Sequence, residues 1–387
     1  MRRLFTTALT AFLASGCGAQ DVTAGANGVG VAQASQAGGR PFQTEVIAKF
    51  DQPWAMTFLP GGNQALITEQ RGRLLLWTPG GQAQPVAGAP QVAYGGQGGL
   101  GDVIVHPDFA NNRMIYLSWV EAGAGGKGAV VGRAQLAMGD GAAPRLENMQ
   151  IIWRQDPKVS GNGHFGHRLA FSPDGFLYIS SGEREKFTPA QDMNANLGKI
   201  LRVTDAGGIP SDNPFTDQGG GAVRGAIWSL GHRNVLGLAF DERGQLWADE
   251  MGPKNGDEFN RIERGSNYGW PVVSNGNNYD GKDIPDHSTR PDFNAPEITW
   301  NGLSPSGMVI YSGSQFPQWR GNAFLGGLSG KTLVRVEIDG TTAREAERWD
   351  MGQRIREVEQ GPDGAIYVLE DQRNGSGGRL LKLTPAR

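Results

Sequence analysis

The 387-residue chain contains a single cysteine, so no disulfide can form within it and its stability rests on core packing or bound metal. A basic excess is missing as well. Lys and Arg number 36 against 39 Asp and Glu, a net charge of −3, which excludes a broad cationic face for nucleic acid. Beyond the N-terminus no apolar run approaches the ~18 residues of a membrane-spanning helix. Nor does any sustained heptad occur. No Walker-type or dinucleotide glycine pattern stands between a strand and a helix, which argues against a nicotinamide cofactor. Histidine is scarce, with five in all, yet His164 and His167 share one short stretch.

What the chain has in quantity is glycine (60) and proline (22), beside an ordinary 38% of apolar residues. That balance marks many tight turns between short strands rather than disorder. Residues 1–17 carry a secretory signal pattern: Arg2 and Arg3, a short apolar stretch, then small residues before Cys17. The run "LASGC" also has the form of a bacterial lipoprotein signal, in which Cys17 is lipidated. Leu13 stands one place further from Cys17 than that pattern usually has it, so cleavage after Ala19 stays open beside lipidation. Both readings make the protein exported and periplasmic, either free or lipid-anchored at the outer membrane. Residues 18–41, rich in Gly, Ala, Gln and Ser, read as a flexible linker. The folded catalytic domain is expected over residues 42–387.

A turn followed by a short apolar or alternating strand recurs six times. The clearest copies are "SPDGFLYIS" at Ser172, "DERGQLWADE" at Asp241 and "GPDGAIYVLE" at Gly361. Looser ones begin at Leu59, His106 and Phe316. Repeated short strands point to an all-β, six-bladed β-propeller; a sandwich would explain the strands but not the recurrence. The longer spacings leave room for insertions around residues 121–161, 186–224 and 271–300.

Propeller loops from different blades meet at an axial funnel, so polar residues beside the repeats are the candidates for a site. Gln97 lies in "YGGQGG" before one strand, and His164 in "GHFGHRLAF" before another. "GHRN" supplies Arg233 and Asn234, "SGKT" supplies Lys331, and "RIRE" supplies Arg354 and Arg356, whose alternation places both on one side of a strand. Most are cations or amides next to glycine. A cationic funnel suits an anionic small molecule, because guanidinium pairs with carboxylate in bidentate fashion.

The stretches H-F-G-H-R-L, G-H-R-N, G-P-K-N-G-D-E-F-N, N-Y-G-W-P and R-I-R-E, in that order, resemble the soluble quinoprotein sugar dehydrogenases, which use pyrroloquinoline quinone (PQQ). The likeness runs from Phe42 to Leu383 and is closer to the bacterial aldose sugar dehydrogenases than to the longer glucose dehydrogenases. The resemblance implies a six-bladed propeller that oxidises the C1 hydroxyl of an aldose to a lactone, with electrons passing on to an acceptor that the sequence does not identify. It implies His164 as general base, and Gln97, Arg233, Asn234, Lys331, Arg354 and Arg356 as cofactor contacts. It also implies Ca2+ bound by the carbonyls of Gly252 and Pro253 beside the quinone, and a second, structural Ca2+ on Glu258 and Tyr268. The chemistry is sensible: a neutral imidazole accepts a proton, a cation stabilises charge on a reduced quinone, and calcium takes oxygen ligands including backbone carbonyls.

Each residue also has a plainer reading. His167, where the resembled family more often has a small residue, reads as scaffolding. Asp257 and Glu258 could be ordinary surface acids or loop-ordering contacts, and Tyr268 and Trp270 read as loop bracing. Arg233 and Asn234 could simply cap blade loops. Gly163 stands where the glucose-specific branch has an acid, and Met251 where relatives carry Gln or His, a change expected to affect substrate preference or quinone tuning. The long blade insertions of the glucose-specific branch are lacking, so an open pocket and a monomer rather than a dimer are expected. Two other functions stay open on sequence alone: a propeller that binds a carboxylate ligand or protein partner without redox chemistry, and a calcium-dependent lactonase.

Overall fold

The computed structural model describes residues 39–139, 141–373 and 377–386; the signal segment with Cys17 and residues 18–38 of the linker lie outside them. Each repeat of the sequence is a turn that joins the first strand of a sheet to the second. In "SPDG" the Gly175 amide donates to the Ser172 carbonyl at 2.9 Å, and Ser172 Oγ accepts the Phe176 amide at 3.0 Å. In "DERG" Asp241 Oδ1 accepts the amides of Arg243 and Gln245 at 2.9 and 2.8 Å. Gly175, Gly244 and Gly364 hold φ at +88°, +78° and +76°, a conformation glycine adopts without steric cost. The strands that follow, Leu177–Ser181, Leu246–Glu250 and Ile366–Glu370, are wholly buried.

Six such units build six four-stranded sheets. Their first strands are Pro53–Phe58, Leu100–Val105, Gly166–Phe171, Val235–Phe240, Pro305–Ile310 and Ile355–Gln360. Each packs against the first strands of both neighbouring sheets, so the six close a ring around an axis. The ring is locked by its ends. Phe42–Lys49 forms the outer strand of the last sheet, antiparallel to Arg379–Pro385, with Phe42 opposite Pro385. This is the all-β, six-bladed propeller that the repeats require. Of the three long spacings, 121–161 is mostly two lengthened outer strands, Gly126–Gly139 and Ala142–Arg154. The other two are largely loop with short helical turns.

Apolar residues fill the spaces between sheets, as where Trp247 stacks on Phe259 at 5.3 Å and donates Nε1–H to Asp241 Oδ2 at 3.1 Å. The axis is different, because a buried arginine occupies it. Arg168 donates Nε–H to the Leu236 carbonyl at 2.6 Å, pairs with Glu357, lies 3.4 Å from Asp102 Oδ1 and sits 4.2 Å from the Trp54 ring centre. A Cβ at Gly307 would fall 2.7 Å from its Nη2. The Arg168 side chain thus meets the first strand of every other sheet. Burial works against its charge, but Glu357 and Asp102 outweigh that and hold the guanidinium above its ordinary range.

Replacing Arg168 strands two buried carboxylates. Arg168→Leu is expected to cost about 3–5 kcal/mol of unfolding free energy in denaturant titration, and Arg168→Leu combined with Glu357→Leu to recover part of that loss. A double variant less stable than the single one would contradict this.

Candidate active site

In each sheet the first strand begins where the second ends, so the loop before the one and the loop after the other share one face of the ring. Most candidates of the sequence reading lie on or beside such loops. Most of them border two adjoining chambers: an inner one of about 200 Å3 and an outer one of about 570 Å3, with Gln97, Met251 and Ser304 in the walls of both. Arg354 and Arg356 line the inner chamber with Trp54, His167 and Arg373. His164, Arg233, Gly252 and Pro253 line the outer one.

His164 is held at both ends. Its backbone sits at φ +48° and donates its N–H to Gln97 Oε1 at 2.8 Å. Its Nδ1 contacts the Glu183 carboxylate. A carboxylate accepts, so in the neutral ring the proton belongs on Nδ1 and the lone pair on Nε2. Nε2 makes no hydrogen bond among the described residues. Glu183 is fixed in turn: Oε1 accepts the Glu185 amide at 3.0 Å, and Oε2 accepts those of Lys186 and Phe187 at 2.5 and 2.6 Å. Arg184, Glu185 and Phe187 all adopt positive φ, coiling the backbone around that carboxylate as an anion nest. Burial works to raise the Glu183 pKa, but His164, the Phe187 amide and Arg233 more than offset it, and the net shift is downward. Arg184 completes the clamp by donating to the carbonyls of Gly163 and Gly161, both at 2.8 Å.

The inner chamber is cationic. Arg354, Arg356 and Arg373 converge on Oδ2 of one residue, Asp371, at 3.2, 3.0 and 3.3 Å. Three guanidiniums share one carboxylate, which leaves a positive excess facing the chamber. Burial would raise the Asp371 pKa, but Arg356, Arg373 and Arg354 hold it well below the usual carboxylate range. Arg233 Nε is buried without a partner, while its Nη1 donates to the Met251 carbonyl at 3.1 Å. These features fit a flat polyanionic group.

His167 is scaffolding, as its sequence context indicated. It stacks on Trp54 at 5.0 Å, its Nδ1 lies 2.8 Å from Ser118 Oγ, and burial lowers its pKa to about 3. A Cβ on Gly101 would collide with its ring. Asn234 lies behind the wall: its Oδ1 accepts the Gly166 amide at 3.1 Å, and its Nδ2 reaches Met251 Sδ at 4.0 Å. Met251 therefore accepts a weak hydrogen bond. Lys331 is exposed, at φ +54°, and is in neither chamber wall. A Cβ on Gly163 would fall on the carboxyl of Glu185, so an outer-chamber acid occupies the space above that glycine.

Asp257 is a buried loop-ordering acid rather than a surface one. It accepts the Gly252 amide at 3.0 Å and those of Leu303 and Ser304 at 3.0 and 2.8 Å. Glu258 and Tyr268 border a separate small cavity of about 10 Å3, together with Glu250, Gly252 and Ser274. That volume is about one water-sized sphere. Burial first, and then the charge of Glu250, push the Glu258 pKa well up, a penalty a cation between the two carboxylates would relieve. The Tyr268 hydroxyl is spent on the Arg261 carbonyl and Glu263 amide, at 2.5 and 2.9 Å. Only its carbonyl, 3.0 Å from His287 Nε2, could serve a metal. Among the described residues no three His, Cys, Asp or Glu side chains form a metal-holding group. Calcium here would draw on carbonyls with one or two carboxylates, a donor set it accepts.

A propeller whose funnel joins a carboxylate-braced imidazole to a chamber of shared guanidiniums has the layout of a cofactor-binding enzyme. Residues 50–382 match the family described as Glucose / Sorbosone dehydrogenase, and this chain belongs to that family. It is 42% identical over 345 residues to the aldose sugar dehydrogenase YliI of Escherichia coli (strain K12), covering 87% of this chain and 91% of the relative. The crystal structure of the soluble aldose sugar dehydrogenase from Escherichia coli in the apo-form matches with a TM-score of 0.82 at 40% identity, over 89% of this chain and all of that one. The PQQ-bound aldose sugar dehydrogenase of Streptomyces coelicolor matches with a TM-score of 0.73 at 28% identity, over 90% and 99% of the two chains.

The arginine cluster yields a pH-dependent outcome. Asp371 has a depressed pKa, so its stabilisation is present above the ordinary carboxylate pKa of about 4 and fades as pH falls through its folded value. Asp371→Asn is expected to cost about 3 kcal/mol at pH 7. The gap between variant and parent should narrow as pH drops below about 4, as followed by denaturant melts. A gap constant across that range would remove Asp371 as the organising charge.

Proposed function

We propose that this protein oxidises the C1 hydroxyl of aldose sugars to the lactone, with PQQ as acceptor and His164 as base. The observation that carries the reading is the His164–Glu183 pair, which faces a chamber adjoining the arginine-lined one. Arg354 and Arg356, with Gln97 and Arg233, would hold the quinone through its carboxylates and carbonyls, and the Gly252 and Pro253 carbonyls would hold calcium beside it. When bound, the quinone supplies the two-electron acceptor for the C1 hydride, and calcium the positive charge that polarises it.

The chain's own part is proton handling and positioning. Glu183 keeps the His164 proton on Nδ1, so Nε2 takes the proton of the anomeric hydroxyl as C1 becomes a carbonyl carbon. The imidazolium formed is stabilised by the same carboxylate. Asp257 sets the Gly252 loop against Ser304. Glu185, on the outer wall, is an acceptor for sugar hydroxyls. A module that only bound a carboxylate would need the arginines but not the braced imidazole.

Purified protein reconstituted with PQQ and Ca2+ should reduce a dye when given aldoses. His164→Ala is expected to lose about 10²–10⁴ in kcat while binding the quinone within a few-fold of the parent. Glu183→Gln should lower kcat far more than it raises KM. Absence of dye reduction across a broad aldose panel would overturn the assignment. For the second metal, adding a calcium chelator should lower the melting temperature of the parent by more than that of Glu258→Gln, which keeps only the calcium beside the quinone; an equal drop in both would exclude Glu258 as a ligand.

A further inference from the structure

The outer chamber changes character towards its mouth. Its polar walls hold His164, Gln97 and Arg233, whereas its exposed rim carries Phe187 and Tyr279, with the buried Trp270 beneath Phe187. Few large apolar side chains are exposed among the described residues, and Phe187 at 46% and Tyr279 at 74% both stand at this rim, Tyr279 being the most exposed of them. Phe187 stacks on Trp270 at 5.5 Å and 29°, and Arg233 lies 5.3 Å from the centre of the same indole. One face of the Phe187–Trp270 pair is therefore backed by the fold. The Tyr279 ring stacks on no other ring among the described residues.

Yet Tyr279 is deliberately displayed. It sits in a closed turn, in which the Asn278 amide donates to the Lys282 carbonyl at 3.0 Å and the Gly281 amide to the Asn278 carbonyl at 3.0 Å. That turn is tied to the chamber wall by paired bonds between Lys254 and Asn277, at 2.9 and 3.1 Å. Asn278, Asp280 and Glu185 line the same cavity and offer amide and carboxylate groups. Aromatic faces flanked by carboxylates and amides are the recognition chemistry of a pyranose ring: its C–H face packs on the ring while its hydroxyls donate and accept around the edge.

We propose that the rim built from Tyr279 and the Phe187–Trp270 pair is an outer subsite for a second sugar ring, so that the enzyme takes the reducing end of oligosaccharides in preference to free monosaccharides. This rests on the function proposed above for the same chamber, with the reducing-end C1 at His164 and the glycosidically linked ring outside it. The polar walls of the chamber recognise the ring to be oxidised; the rim recognises its neighbour.

The test compares glucose with maltotriose and cellotriose, in the parent and in Tyr279→Ala and Phe187→Ala. Two readouts are used: kcat/KM of the reconstituted enzyme, and binding to quinone-free protein by calorimetry and tryptophan fluorescence. The parent is expected to favour at least one trisaccharide over glucose by about five-fold or more in both readouts. Tyr279→Ala should erase that preference, leaving glucose kinetics within two-fold and the melting temperature unchanged. Equal affinity for glucose and both trisaccharides, or a parallel loss for all sugars in Tyr279→Ala, overturns the subsite. If glucose is oxidised without any trisaccharide preference, the subsite fails and the proposed function survives. If no sugar is oxidised but quinone-free protein still binds a trisaccharide through Tyr279, the function fails and the saccharide site stands.

Discussion

One guanidinium, that of Arg168, meets every blade of the propeller. Five strands supply it with a carbonyl, two carboxylates, an indole face and a glycine that makes room, and the sixth carries it. A buried cation of this kind is costly unless each partner is in place, so it penalises any ring in which one blade is rotated or shifted. It also sits below the inner chamber, where Trp54 meets both Arg168 and His167. The contact that closes the ring therefore shapes the chamber floor.

Above that floor the same device recurs in each functional loop. A buried carboxylate collects backbone N–H groups: Glu183 those of residues 185 to 187, Glu250 those of Arg233 and Asn234, and Asp257 those of Gly252, Leu303 and Ser304. Each fixes a loop at the chamber. The inner chamber is cationic, whereas Glu183, Glu185, Asp257 and Asp280 give the outer one a mixed charge. Charge-assisted bonds to amides are strong enough to hold loops in left-handed conformations that they would otherwise avoid, as with Glu185 and Phe187 around Glu183.

The blades were legible because their signal is local. A turn such as "SPDG" carries its own hydrogen bonds and its own left-handed glycine, so each copy announces a strand pair without reference to the rest of the chain. The chamber-lining residues Gln97, His164, Arg233, Arg354 and Arg356 were legible for a related reason: they stand in short glycine-flanked or alternating stretches before an apolar strand. Glu183, Asp371 and Arg168 were not singled out. Glu183 and Asp371 follow second strands in ordinary polar company, and Arg168 lies within an apolar strand motif whose neighbouring histidines drew the reading. Lys331 shows the converse, a motif residue that the loop turns outward.

The amino-acid sequence by itself determined the number of blades, their turn chemistry and most of the groups offered to the funnel, because those depend on residues a few positions apart. The tertiary structure alone decided which carboxylate braces His164, which anion the three arginines share, and which aromatic rings stand at the rim. The first two pairings form when the first and second strands of one blade pair antiparallel and bring distant loops to one face, whereas the rim gathers Phe187 and Trp270 from neighbouring blades and needs the ring itself.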